Sequence, residues 1–480
     1  MRYSMLVYIT KMGRTLIEAA RYLHDALPQD GMRAEILENG GQMLAQMQDI
    51  LQQSREGLHS DAPLVRLRRI GALWESGSGD TEEMLRQWIE TLPQEISYQM
   101  RAVFFAELGE KWDAMESVYE YMKDDPRFDP VIVRTPVGRV VHRDGKQEQE
   151  IIYRDFLTPM GISSFGYDEY DIEKDCPELA FISQPYESCT PEQFWPENIA
   201  KHTRLVYLPY YLPDILHEGS TQALCQLPVY KYAWKAVCAS EKQLAFYCKH
   251  SVHQGANALL AGSPKLDRIF ALKEQGIALP DGWKTIRGKT VILWNSWYDI
   301  NQSSLRYADA LMSWFEEHRE YCLLWRPHPM TDTVTKLYYP EQYSSYQLMQ
   351  QRMEHMPNAV IDEETSYEAA FFYSDAQISD YSSLLPQYLP MDKPALWIKS
   401  GNWKFTGKEL IESSWMEKAD SLENIFLFLD NIQQGKDTRA ILRRQIRNRD
   451  LALADGRSGQ RVCEAVWELM HKEDQIIQLI

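Results

Sequence analysis

The chain has 480 residues and a net charge of −18, from 51 Lys and Arg against 69 Asp and Glu. That acidic balance argues against a non-specific binder of DNA or RNA, which needs a basic surface. Hydrophobic content of 44% and charged content of 25% are those of a soluble globular protein, and the length predicts two or three domains.

The start, Met1–Thr10, is a short apolar run without the shape of a signal peptide. Residues 1–97 read as a helical accessory region, separate from the rest of the chain. Leu16, Ala19, Ala20, Leu23 and Leu27 fall at helical spacing, as do Met43, Met47, Ile50 and Leu51, and later Met84, Trp88 and Ile89. With no β-rich run and no phosphate-binding glycines, this region suits packing or a protein partner. Its basic, apolar segment Val65–Ile70 reads as a solvated helix face, with contact to anionic lipid as the alternative.

Residues 98–275 change pattern. Strands are predicted at 102–105, 131–133, 179–182, 205–208, 236–239 and 258–260, with helices over 110–123 and 241–250 between them. A Pro/Gly-rich linker over 276–288 leads into a second alternating series, 285–480. There, strands at 291–294, 321–325, 359–361 and 395–398 alternate with helices near 305–315 and 366–373. The predicted fold is α/β: two doubly wound, Rossmann-like domains of parallel strands facing one another across a cleft. No run approaches the roughly 18 apolar residues of a membrane-spanning helix. Seven scattered cysteines, without a Cys-x-x-Cys pair, read as reduced thiols of a cytoplasmic protein.

Two loops carry chemistry. Ala376–Ile378 reads as a strand, followed by Ser379-Asp380-Tyr381-Ser382-Ser383 and an apolar helix start. Such a turn gathers backbone N–H groups, hydroxyls and a helix N-terminus, which together bind phosphate. Asp380 would repel an anion, so its expected role is to orient the turn. Upstream, the strand 321–325 ends in Arg326-Pro327-His328-Pro329, delivering a guanidinium and an imidazole to the strand's carboxyl end. Each loop alone is compatible with a capped helix start or a rigid surface turn. Together they point to a site for a nucleotide diphosphate.

Six short pieces, in order, resemble the CDP-glycerol glycerophosphotransferases that build teichoic-acid-type polymers, enzymes of two Rossmann domains of the GT-B type. Ala261–Asp267 resembles the family's Gly-x-Pro-Arg-x-Asp turn, and Val291–Trp297 its strand leading to Pro-Thr-Trp. Arg326–Pro329 resembles Arg-x-His-Pro, Ile378–Ser383 resembles Thr-Asp-Tyr-Ser-Ser, Asp392-Lys393-Pro394 its Lys-Pro, and Asp455–Arg461 its Asp-Gly-x-x-x-x-Arg. The family's Trp-His-Gly-Thr-Pro segment, which carries the catalytic base, has no match. In its place stands His217-Glu218-Gly219-Ser220-Thr221, where His217 is either a base beside a carboxylate or a surface histidine.

The resemblance implies a donor, CDP-glycerol or a similar CDP-alcohol, and a polymeric or lipid-linked acceptor, with CMP released. It implies peripheral contact with the inner face of the cell membrane. Arg326 would contact the pyrophosphate, His328 would assist the leaving CMP, and Ser382 and Ser383 would hold the diphosphate. Ser296 and Lys265 are further candidates for the cleft. No cofactor is expected, and without an Asp-x-Asp pair or ligand cluster at a predicted strand end no required metal is invoked. A GT-B glycosyltransferase using a nucleotide sugar, and a non-catalytic assembly module, are the alternatives.

Overall fold

The structure, a computed structural model, describes residues 1–25, 30–143, 146–212, 222–380, 382–399 and 409–475. Four helices come first: α1 (Tyr3–Asp25), α2 (Asp30–Gln53), α3 (Ala62–Ser76) and α4 (Thr81–Glu95). Pro63 sits in the first turn of α3, where its missing N–H costs nothing, and Gly77 ends the helix in the left-handed conformation.

The strands of the first sheet are β1 (Met100–Ala106), β2 (Phe128–Arg134), β5 (Phe165–Gly166), β6 (Leu179–Ile182), β7 (Arg204–Tyr207), β8 (Lys235–Cys238) and β9 (Ala258–Leu260). They are all parallel, in the order β5-β2-β1-β6-β7-β8-β9. A separate antiparallel hairpin, β3 (Val137–Arg143) and β4 (Lys146–Ile152), is inserted after β2. The second sheet holds β10 (Thr290–Ser296), β11 (Tyr321–Pro327), β12 (Ala359–Ile361), β13 (Ala376–Ser379), β14 (Ala395–Ile398) and β15 (Glu417–Ala419). It too is parallel, in the order β12-β11-β10-β13-β14-β15. Chain order reverses between β10 and β13, so a crevice opens at their carboxyl ends.

Alternation along each strand sets two buried faces per sheet. In the first sheet, Ala102, Phe104, Phe181 and Val206 face the core made with α1–α4 and the last helix, Ser458–Glu473. Val103, Phe105, Ala180 and Tyr207 face the other way, against Ile199, Val229 and Tyr230. In the second, Val291, Leu293, Leu324 and Trp397 pack with Leu266, Ile269 and Phe371, while Ile292, Trp294, Leu323 and Leu396 pack with Leu311, Phe315 and Phe428.

Three features differ from the sequence reading. The N-terminal helices are not separate: Leu6, Leu67 and Trp88 share one core with β1 and β6, because the first sheet would otherwise expose an apolar face. The domains also exchange helices. Pro264–Gln275 sends Leu266, Ile269 and Leu272 inward, Leu266 and Ile269 into the second core, whereas Ser458–Glu473 returns Val462, Val466 and Met470 to the first. The stretch 276–288 holds a short 3-10 helix, Asp281–Ile286, whose Trp283 and Ile286 are buried in the second core. The expected basic face on α3 is half committed: Leu67 and Ile70 are buried, Arg66 pairs with Glu95, and Arg68 and Arg69 are exposed.

Candidate active site

The site grows from three adjacent strand ends of the second sheet. The register sets Ser296 opposite Pro327 and Asn295 opposite Ser379, so the loops after β10, β11 and β13 emerge side by side. Arg326, His328, Ser296, Asp380, Ser382 and Ser383 are thereby brought to one edge.

Asp380 is fully buried and is the most heavily bonded of them. Its carboxylate accepts from the Trp297 amide at 2.9 Å, the Ser304 amide at 2.9 Å and the Ser304 hydroxyl at 2.8 Å. Trp294 Nε1 donates in turn to Ser304 Oγ at 2.8 Å. Ser304 begins the helical segment that follows β10, so an internal carboxylate already occupies that positive helix end. The turn after β13 lies next to it and carries the two serines. There, Ser382 Oγ accepts from the Leu384 amide at 3.1 Å, which leaves the hydroxyl proton to donate. Ser383 is exposed and immediately precedes the helix Leu384–Tyr388. Tyr381 lies outside the described residues.

Arg326 is held in place rather than waving in solvent. Its Nη1 pairs with Asp362 Oδ2 at 2.7 Å and donates to the Glu364 carbonyl, and its Nη2 donates to the Thr365 carbonyl at 3.2 Å. Nε makes no hydrogen bond among the described residues. The Asp362 carboxyl is fully buried, and burial pushes its pKa up against the lowering pull of Arg326. The sequence reading missed Asp362, although Trp325 pairs with Ile361 and so sets the next two residues, Arg326 and Asp362, opposite one another.

His328 Nδ1 accepts the Met330 amide at 3.1 Å, so in the neutral ring the proton is on Nε2. Burial lowers its pKa, and the neutral form prevails at pH 7. Tyr298, from the loop after β10, packs edge-on against the ring at 5.2 Å between centroids.

The remaining candidates have structural partners. Ser296 Oγ accepts from Trp325 Nε1 at 3.0 Å and is buried. Lys265 is buried at the junction of the domains, paired with Asp113 and stacked over Tyr367 at 5.6 Å, while Tyr367 donates to the same carboxylate at 3.0 Å. His217 lies outside the described residues. The motifs at 261–267 and 455–461 interlock: Asp267 accepts the Ser458 and Gly459 amides at 3.1 and 2.7 Å, and Arg461 donates to the Ala261 carbonyl at 2.8 Å. Their role in this structure is to clasp the returning helix to the domain junction. No helix among the described residues is long and apolar enough to cross a membrane.

Comparison with known proteins agrees on architecture. No curated protein sequence matches the chain. Among solved structures, a UDP-GlcNAc 2-epimerase from Neisseria meningitidis bound to UDP-GlcNAc matches at TM-score 0.52 and 9% identity, over 77% of this chain and 100% of that one. A putative UDP-N-acetylglucosamine 2-epimerase from Listeria monocytogenes matches at TM-score 0.54 and 10% identity, over 80% and 100%. The wall teichoic acid polymerase TagF matches at TM-score 0.45 and 14% identity, over 87% and 98%. The epimerase likeness is one of fold: two parallel-sheet domains. The family profile described as CDP-Glycerol:Poly(glycerophosphate) glycerophosphotransferase matches residues 219–468, more than half of the chain and all of the second sheet. The chain belongs to the CDP-glycerol:poly(glycerophosphate) glycerophosphotransferase family.

Proposed function

We propose that the protein transfers a glycerophosphate unit from CDP-glycerol to a polymeric or lipid-linked acceptor and releases CMP. The observation that carries this reading is the Arg326–His328–Ser382 edge in a chain of this family, with Asp380 filling the neighbouring helix end. The acceptor hydroxyl attacks the β-phosphorus, and the bond to the CMP oxygen breaks. Transfer of this kind needs positioning and charge stabilisation more than covalent help. Arg326, its plane fixed by Asp362 and two carbonyls, presents Nε to the pyrophosphate. His328 donates from Nε2 to the oxygen that leaves with CMP. The Ser382 hydroxyl and the turn around Ser383 hold the remaining phosphate oxygens, and Asp380 orients the loops. A lipid-linked acceptor would bring the protein to the inner face of the cell membrane as a peripheral enzyme.

The test is nucleotide release. Purified protein with a membrane extract as acceptor source is offered CDP-glycerol, CDP-ribitol and common nucleotide sugars. CMP from CDP-glycerol, lost in His328→Ala with the melting temperature unchanged, is the expected result. A nucleoside diphosphate released only from a nucleotide sugar would transfer the protein to the glycosyltransferases.

A further inference from the structure

The carboxyl edge of the first sheet holds a second cluster. Glu107 follows β1, the central strand, at the point where the sheet order reverses between β1 and β6. Only 7% of the residue is exposed. Its Oε2 accepts from Lys111 Nζ at 2.9 Å, while Oε1 accepts nothing among the described residues. Lys111 Nζ lies 5.0 Å above the ring of Tyr210, which comes from the loop after β7. The segments that follow β1 and β7, on either side of β6, therefore meet at one carboxylate.

A short route ties this carboxylate to the donor edge. Glu107, Lys111 and Asp113 lie on the one segment that follows β1, around the short helix Gly109–Trp112. Asp113 accepts from Tyr367 across the junction at 3.0 Å. Tyr367 follows Thr365, whose carbonyl holds Arg326. The segment that carries Glu107 and the loop that holds Arg326 are thus linked across the domain junction through Asp113 and Tyr367. The described histidines that flank this sheet, His202, His250 and His253, sit before β7 and β9, at the amino ends of those strands and away from this edge.

We propose that Glu107 is the base that receives the acceptor's proton. The inference rests on the glycerophosphate-transfer reading above. As the acceptor oxygen forms its bond to the β-phosphorus, its hydroxyl proton passes to Glu107 Oε1. The electron pair of the breaking P–O bond leaves with CMP, and the proton is later lost to solvent. Burial raises the Glu107 pKa, and Lys111, a positioning residue, opposes that rise and favours the carboxylate. The titratable groups facing Glu107 are Lys111 on its own segment and Tyr210 from the β7 loop, with Tyr186, Tyr211 and Cys189 around Tyr210.

The experiment compares wild type, Glu107→Gln and Lys111→Met in CMP release from CDP-glycerol across pH, alongside donor affinity and melting temperature. Glu107→Gln is expected to lower kcat by about 100-fold or more at unchanged donor affinity. Lys111→Met is expected to shift the acidic limb of the rate profile to higher pH, because removing the ammonium makes the carboxyl harder to ionise. If Glu107→Gln keeps kcat within about threefold, Glu107 is not the base. If that variant does not fold, an acidic limb unmoved in Lys111→Met overturns the proposal. A wild type that releases CMP while both variants behave as wild type rejects Glu107 alone. A wild type silent toward CDP-alcohols and active on a nucleotide sugar rejects the transfer reading itself.

Discussion

Asp380 and Ser304 lie 76 residues apart and are joined twice, at 2.9 Å through the Ser304 amide and at 2.8 Å through its hydroxyl. The pair fastens the loop after β13 to the helical segment after β10. Replacing Asp380 by Asn places an amide –NH2 against at least one N–H donor. With both partners buried, the expected loss is about 1–3 kcal/mol of stability. Activity should fall as well, through displacement of Ser382. Urea denaturation with donor titration checks this, and an Asp380→Asn protein of wild-type stability and affinity would show that the clamp does not shape the site.

Arg326 and Asp362 form the second coupled pair. Removing Arg326 leaves a fully buried carboxylate without its counter-ion, so Arg326→Ala should lose roughly 3–5 kcal/mol of stability besides weakening donor binding. Arg326→Ala/Asp362→Asn should recover much of the stability and none of the donor affinity. Recovery of both would mean that the guanidinium serves the fold and not the pyrophosphate.

Much of this was legible in the sequence. The strands at 179–182 and 395–398 lie inside their sheets and are buried throughout, because a parallel strand covered on both faces must be apolar along its length. The apolar runs at 258–260 and 359–361 form edge strands that are only partly buried. The turn after Ile378 and the Arg-Pro-His-Pro end of β11 arrive at the ends of the two strands that flank β10, at the same edge of one sheet. What the sequence hid was tertiary. Nothing local in Leu266 or Val462 says which sheet its helix will cover, since either apolar face would accept either helix. Ser296 and Lys265 are candidates for the cleft through the pieces that resemble the family, Val291–Trp297 and Ala261–Asp267. Their partners, Trp325 and Asp113, are distant in sequence. Glu107 went unread for a similar reason, as a single carboxylate after a strand acquires meaning only when Lys111 and Tyr210 surround it.

Gly459 and Gly41 make a matched pair of helix glycines with opposite outcomes. A Cβ on Gly459 would lie 2.6 Å from the backbone carbon and oxygen of Ser117, which cannot swing aside as a side-chain tip would. Gly459→Ala should therefore push the last helix off the first domain and cost about 1–3 kcal/mol. A Cβ on Gly41, within α2, meets nothing within 4 Å. Gly41→Ala should gain about 0.5–1 kcal/mol from helix propensity. Denaturant midpoints of the two variants, measured side by side, check the contrast. Equal shifts of the same sign would show that close approach at Ser117 does not hold the returning helix.

His471 gives the clasp a pH dependence of definite sign. It is buried on the last helix, where Nδ1 donates to the Trp467 carbonyl at 2.7 Å and Nε2 accepts from the Tyr98 hydroxyl at 2.8 Å. Both bonds suit the neutral ring, and burial lowers the folded pKa below the usual value. The unfolded chain, whose histidine titrates near about 6.5, then binds more protons than the folded chain as the solution is acidified. Stability from this residue is complete above about pH 6.5 and declines as pH falls toward the folded pKa. The steepest slope one such group contributes is about 1.4 kcal/mol per pH unit. His328, also lowered by burial, adds a slope of the same sign. In His471→Gln, whose amide can keep the Tyr98 bond without titrating, the fall in stability between pH 7 and 5 should be shallower than in the wild type and still present through His328. Parallel pH curves for the two proteins would mean that the His471 ring is not neutral in the folded clasp.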